Sequence, residues 1–157
     1  MPTRLIKRFG DWLGTWRGTC EFSDGRAGLM QFRLTSVFNG EAIQVDTASY
    51  IPESGAPMTR GSGFFSLDRQ GRVVNNIYAD YLGFAVLVET PDDPEVLSLE
   101  GGLPGNMTLT VTMSVANDLM TLSSRVGEGY KSAPGRPRTY TQMKRVGPIQ
   151  RPKGDAP

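Results

Sequence analysis

The chain is 157 residues long, the size of a single domain with one sizeable core. Lys plus Arg number 17 against 16 for Asp plus Glu, and the resulting net charge of +1 supplies no field to draw nucleic acid or an anionic membrane. Histidine is absent, which removes the usual proton shuttle near neutral pH, the Ser-His and Cys-His nucleophile pairs, and the commonest zinc and haem ligand.

Cys20 is the single cysteine, so no internal disulfide can form. No stretch joins a basic flank to an apolar run suited to export, and none nears the roughly 20 apolar residues of a membrane-spanning helix. The expectation is a soluble, cytoplasmic protein. From Arg4 to Leu13 the apolar residues Leu5, Phe9 and Trp12, with Ile6 and Leu13 beside them, recur at helical spacing, and Gly10 and Gly14 limit the segment. One short helix fits, as a plug over one end of a barrel. Beyond it, runs rich in Val, Thr, Phe, Tyr and Leu are cut by turn residues at intervals of about ten. The expected strands are Thr15 to Ser23, Leu29 to Phe38, Glu41 to Ile51, Gly61 to Leu67, Arg72 to Ala79, Phe84 to Glu89, Glu95 to Glu100, Met107 to Val115, Leu119 to Arg125, and Thr139 to Val146.

Asn39-Gly40 is a strong hairpin signal, because both central positions of a type I′ turn require positive φ. Asp24-Gly25, Asp68 to Gly71, Pro91 to Pro94 and Asn117-Asp118 are turns of the same kind, too short for crossover helices. Sequence neighbours should therefore be sheet neighbours. Ten up-and-down strands left open would expose two long edges, so the sheet is expected to close. The fold expected is all-β, a closed antiparallel up-and-down β-barrel of about ten strands with a short N-terminal helix, over residues 1–146. The tail 147–157, with three prolines and no apolar periodicity, is expected to be disordered. Seven basic residues against one acidic from Lys131 onward suit a solvated tail.

Strand alternation suggests what faces inward. On the eighth strand Met107, Leu109, Val111, Met113 and Val115 share an apolar face that should point into the barrel. By the same parity Met30, Phe32, Leu34 and Phe38 should line the second strand, and Trp16, Cys20 and Phe22 the first. On the third strand Gln44, Asp46 and Tyr50 share one face and Ile43, Val45, Thr47 and Ser49 the other; the first set is expected to face the lumen. Asn75, Asn76, Tyr78, Glu100, Arg125 and Tyr140 lie within other strands, where an inward polar group requires a partner or a ligand. A carboxylate in an apolar lumen would have a raised pKa and could work as acid or base, which singles out Asp46 and Glu100. Cys20 reads as a buried, inert thiol. The glycine-rich pieces Gly61-Ser62-Gly63 and Gly101-Gly102-Leu103-Pro104-Gly105 lack the helix of a phosphate cradle and read as turns or strand kinks. No Asp/Glu cluster has metal spacing.

Leu13-Gly14-Thr15-Trp16-Arg17-Gly18 resembles the opening Gly-x-Trp signature of the calycin superfamily, the lipocalins and fatty-acid-binding proteins. It is similar, more closely, to bacterial lipocalin-like proteins of unknown function and to nitrobindin-type barrels. Phe38-Asn39-Gly40-Glu41-Ala42, Gly61 to Asp68 and Met143-Lys144-Arg145 fall in the order that these families show, and the likeness spans roughly residues 10 to 146. The resemblance implies that Trp16 packs across the barrel base under Lys144 or Arg145, and that Gly14 and Gly18 let the chain pass close beneath the plug. Nitrobindin-type barrels hold haem through a histidine just before the final strand. The equivalent stretch here, Gly135-Arg136-Pro137-Arg138-Thr139-Tyr140, has none, so no cofactor is expected.

Two functions are compatible with these features. The first is a carrier or sensor binding an apolar or aromatic small molecule, with Phe32, Gln44, Tyr50, Phe64, Asn76, Tyr78, Met113 and Arg125 as candidate ligand contacts. The second is a cofactor-independent cyclase or isomerase acting on a polyketide- or terpenoid-like intermediate, with Asp46, Glu100 and Tyr140 as candidate catalytic residues. A barrel with a filled core is the remaining alternative. Neither nucleic acid nor membrane is an expected partner, and a homodimer is admitted.

Overall fold

The computed structural model describes residues 1–22, 25–80, 82–91, 95–128 and 137–146. A helix α1 (Arg4–Phe9) and a 3-10 turn (Gly10–Trp12) lead into ten strands. These are β1 (Gly14–Phe22), β2 (Ala27–Val37), β3 (Ala42–Tyr50), β4 (Pro57–Leu67), β5 (Val73–Ala79), β6 (Gly83–Glu89), β7 (Leu97–Leu103), β8 (Met107–Ala116), β9 (Leu119–Glu128) and β10 (Pro137–Val146). Every strand pairs antiparallel with its chain neighbours, and β1 pairs with β10, from Thr15 opposite Val146 to Phe22 opposite Thr139. The expected closed ten-stranded barrel is what the chain forms.

The hairpins arise from local backbone chemistry. Asn39 and Gly40 carry φ of 54° and 84°, and Glu41 N–H donates to Phe38 O at 3.1 Å, the turn that the Asn-Gly pair demands. Phe38 itself has φ 51°, so β2 stops at Val37 and Phe38 is turned out to solvent instead of lining the lumen as expected. Asn117 and Asp118, at φ 53° and 57°, join β8 to β9 in the same way. Asp68 accepts from Gln70 N–H and Arg72 N–H at 2.9 Å each and closes the β4–β5 turn. Gly61 and Gly63 lie inside β4, whereas the second glycine-rich piece runs from Gly101 and Gly102 in β7 into the β7–β8 turn, where Gly105 has φ 79°. The tail 147–157, Ser23, Asp24, Tyr81, Asp92 to Pro94 and residues 129–136 lie outside the described residues.

The plug is built from the apolar face that its periodicity announces. Leu5, Ile6, Phe9, Trp12 and Leu13 are buried in the core. Thr3 caps the helix, accepting from Ile6 N–H at 3.2 Å and donating to Gly40 O at 2.5 Å, so one side chain ties the plug to the β2–β3 turn. Phe9 meets Trp12 edge-on at 4.9 Å and leans on Phe65 of β4 at 6.3 Å between centroids. Trp16 Nε1–H donates to Trp12 O at 2.9 Å. Arg145, not the exposed Lys144, lies over the Trp16 ring at 4.2 Å and donates to Leu13 O at 2.5 Å and to Asp11 O. Arg8 makes a two-pronged ion pair with Glu89 at the end of β6, and Glu89 also accepts from Val73 N–H at 3.1 Å. Hydrogen bonding by Arg8 holds the Glu89 carboxyl below the usual carboxylate range.

Gly18 differs from expectation. A Cβ there would lie 1.8 Å from Gln142 O and 2.8 Å from Met143 Cα, so its lack of a side chain serves the approach of β1 to β10 and not the passage beneath the plug. The ladder is uneven around the barrel. β1 and β2 share eight register pairs, from Gly14–Leu34 to Glu21–Ala27, whereas β6 and β7 share two, Val88–Glu100 and Glu89–Leu99.

Candidate functional site

Inside the barrel is a cavity of about 500 Å³, within the range of small-molecule sites. Its walls are Met30 and Phe32 of β2, Val45 and Thr47 of β3, Phe65 of β4, Asn75 and Ile77 of β5, Leu87 of β6, Leu109, Val111 and Met113 of β8, and Leu122 and Ser124 of β9. The lining extends to Arg26, Ile51, Pro57, Met58, Thr59 and Leu82, which stand at the end opposite the plug. α1 therefore forms the closed floor and the cavity mouth is at the other end. Arg26, exposed at that mouth, is the sole ionisable side chain among the described lining residues.

Strand alternation sorts the expected contacts. Phe32 and Met113 line the cavity, and the inward face of β8 is the apolar one. On β3 the expected faces are reversed: Ile43, Val45, Thr47 and Ser49 point inward, and Gln44, Asp46 and Tyr50 point outward. The physical reason is hydrophobic, since burying Ile43 and Val45 removes apolar surface from water while the outer face leaves a carboxylate solvated. Gln44 Nε2 lies 3.2 Å from Asp46 Oδ2, and Ser62 Oγ donates to Asp46 Oδ1 at 2.7 Å, an outer-wall network. Phe64, Asn76 and Tyr78 also point outward, because Phe65, Asn75 and Ile77 hold the inward positions of β4 and β5. Glu100, Arg125 and Tyr140 lie on the outer parity of their strands, beside the buried Leu99, Ser124 and Thr141. Asp46, Glu100 and Tyr140 are thus not brought together, and none lines the cavity.

The outer wall carries its own aromatic strip. Phe64 and Val86 flank Asn76 across β4, β5 and β6, Tyr78 meets Phe84 at 4.8 Å, and Phe38 stands 6.3 Å from Phe64. Cys20 is buried, and desolvation pushes its thiol pKa up, away from the thiolate form that reacts.

Polarity in the lumen is sparse and mostly engaged. Ser49 and Thr59 hydrogen-bond each other at 2.5 Å, Thr47 Oγ1 donates to Gly61 O at 3.5 Å, and Ser124 has a partner within the fold. Asn75 is different. It is 7 % exposed, lies between Phe65 and Leu87 in the ladder, and its side chain has no hydrogen bond among the described residues. On sequence alone Asn75 and Asn76 carry equal weight as strand amides, and Asn76 is the one expected to contact a ligand. The signal that separates them is the company each keeps: Val73, Ile77 and Ala79 share the parity of Asn75, and only Val74 and Tyr78 share that of Asn76.

These features define a closed antiparallel barrel with one plugged end and an apolar lumen. No family model and no curated protein matches the chain. Among solved structures it is similar to the crystal structure of Rv2717c from M. tuberculosis, at a TM-score of 0.73 and 16% identity over 93% of this chain and 99% of that one. At that identity the likeness shows the fold. Two redesigned beta barrels, mFAP0 and mFAP1, each bound to DFHBI, match at a TM-score of 0.47, with 15% and 14% identity over 85% and 91% of this chain and 97% and 100% of theirs. Among the described residues no helix is long and apolar enough to cross a membrane.

Proposed function

We propose that the barrel holds a small, largely apolar molecule in its lumen without transforming it, as a carrier or sensor. The observation that carries this reading is the cavity itself: about 500 Å³, walled by Phe32, Phe65, Met30, Met113 and branched aliphatic side chains, with its mouth at the end away from the plug. Two aromatic rings and polarisable methionines suit an aromatic or conjugated body. The Gly14–Gly18 motif, with Arg145 seated over Trp16, supports placing this barrel with the calycin type. The cyclase or isomerase reading depends on a carboxylate in the lumen, and Asp46 and Glu100 lie on the outer wall, so nothing in the geometry favours it.

A fluorescent apolar dye such as ANS tests the reading. It should bind and brighten with the native protein, and native mass spectrometry should detect small molecules carried through purification. Val111→Trp, which fills the cavity from β8, should weaken dye binding by tenfold or more while the protein stays folded. Equal dye binding by the wild type and the tryptophan variant would place the dye elsewhere and sink the proposal.

A further inference from the structure

We propose that Asn75 recognises a carbonyl oxygen of the lumen's ligand, so that the ligand is a neutral, mostly apolar carbonyl compound and neither a pure hydrocarbon nor an acid. The inference rests on the lumen-binding reading and adds to it the chemical class of the occupant.

Asn75 is inward on β5, one inward position above the fully buried Val73, and so lies deep in the cavity near the floor. Its carboxamide brings two N–H donors and one acceptor into a wall made by Phe65 and Leu87. Such a group is costly without partners, and idle N–H donors are rarer in folded proteins than under-used carbonyl oxygens. Two other polar lining groups, Thr47 and Thr59, are occupied within the wall. A strand position flanked by Val73 and Ile77 would accept Leu or Val more favourably, so the amide is a local conflict of the kind that functional sites carry.

The donors ask for an acceptor on the ligand. A carboxylate would satisfy them but would bring a charge deep into an apolar cavity whose described cation, Arg26, stands at the mouth. A ketone, aldehyde, ester or amide carbonyl supplies the acceptor without the charge. A hydrocarbon would displace water from Asn75 and return nothing to it. The ligand then enters carbonyl end first, its apolar body lying outward among Phe32, Ile77, Val111 and Met113.

The test uses two probes of one shape: prodan, a dimethylaminonaphthyl ketone whose emission shifts to the red when its carbonyl accepts a hydrogen bond, and the dimethylaminonaphthalene bearing a propyl group in place of the ketone chain. The wild type should prefer the ketone. Asn75→Leu should weaken ketone binding about tenfold, leave the propyl compound unchanged or tighter, and shift the bound ketone's emission to the blue. In the ligand-free protein the same substitution should raise Tm by about 2–4 °C, because it puts an apolar side chain where a polar one lies in an apolar wall. Should the leucine variant fail to fold, Asn75→Val, a side chain suited to strands, carries the same comparison. Binding of both probes with no ketone preference, or equal weakening of both by the substitution, overturns the role of Asn75 and leaves the lumen reading standing. Binding of neither probe to the wild type overturns both.

Discussion

Glu89 is the residue through which α1 is tied to the wall by charge. Its carboxyl takes both prongs of Arg8 and the Val73 amide, so its pKa in the folded state lies below its unfolded value. A depressed folded pKa means stability that is present above the unfolded pKa of about 4.3 and is lost as pH falls through the folded value. Glu89→Gln should therefore cost on the order of 1 kcal/mol at neutral pH, and its urea-unfolding stability should fall less steeply than the wild type's below about pH 5. Parallel pH profiles would show that the pair is not coupled to folding. Thr141 makes the opposite case: it is fully buried on β10, and its Oγ1 has no partner among the described residues. Thr141→Val replaces that hydroxyl with a methyl of similar size and should stabilise the barrel by about 1 kcal/mol in chemical denaturation.

Strand by strand, legibility depends on how unequal the two faces of each element are. β8 alternates Met, Leu and Val against Thr and Ser, and its inward face can be assigned from the sequence. The turns are legible for a related reason, since Asn-Gly and Asn-Asp have few other backbone uses. β3 defeats the same reading because the candidate polar chemistry of Gln44, Asp46 and Tyr50 outweighs the simpler demand that Ile43 and Val45 be buried. On β4, Phe64 and Phe65 are adjacent aromatics, and period two alone cannot say which one turns in. The fold turns Phe65 in and Phe64 out, and on the parity of Phe65 the close approach at Gly63, where an added Cβ would sit 2.2 Å from Asn76 O, is a tertiary contact that no local pattern announces. Gly18 has the same character at the seam that closes the barrel. Gly18→Ala should cost about 3 kcal/mol or prevent folding, as read by circular dichroism and denaturant midpoint. Gly102→Ala, with no atom within 4 Å of the added Cβ, should be tolerated.

Taken as one molecule, the barrel is not evenly sewn. Eight register pairs join β1 to β2, while β6 and β7 share two pairs, both at the floor end. Toward the mouth these strands stay close through Gly101, whose added Cβ would come within 2.2 Å of Val86 O, without a ladder between them. Backbone amides that lack a ladder partner exchange from small local openings. Amide exchange should therefore be faster over Gly83–Val86 than over β1, β2 or β8. Uniform protection around the barrel would show that the missing ladder has no dynamic consequence.

The pairing of β1 with β10 also dictates an order in time. Arg145 reaches back across 132 residues to the Leu13 carbonyl, and in the closed barrel the edge of β1 away from β2 is taken by β10. While the chain is being synthesised, β1 has β2 for company on one side and a bare row of N–H and C=O groups on the other until the residues of β10 emerge. Contacts of such long sequence separation form late and slowly. Throughout that interval the Trp16 ring lacks its cationic cover and the nascent barrel exposes an adhesive edge, so misassembly is expected most in the step before the barrel closes.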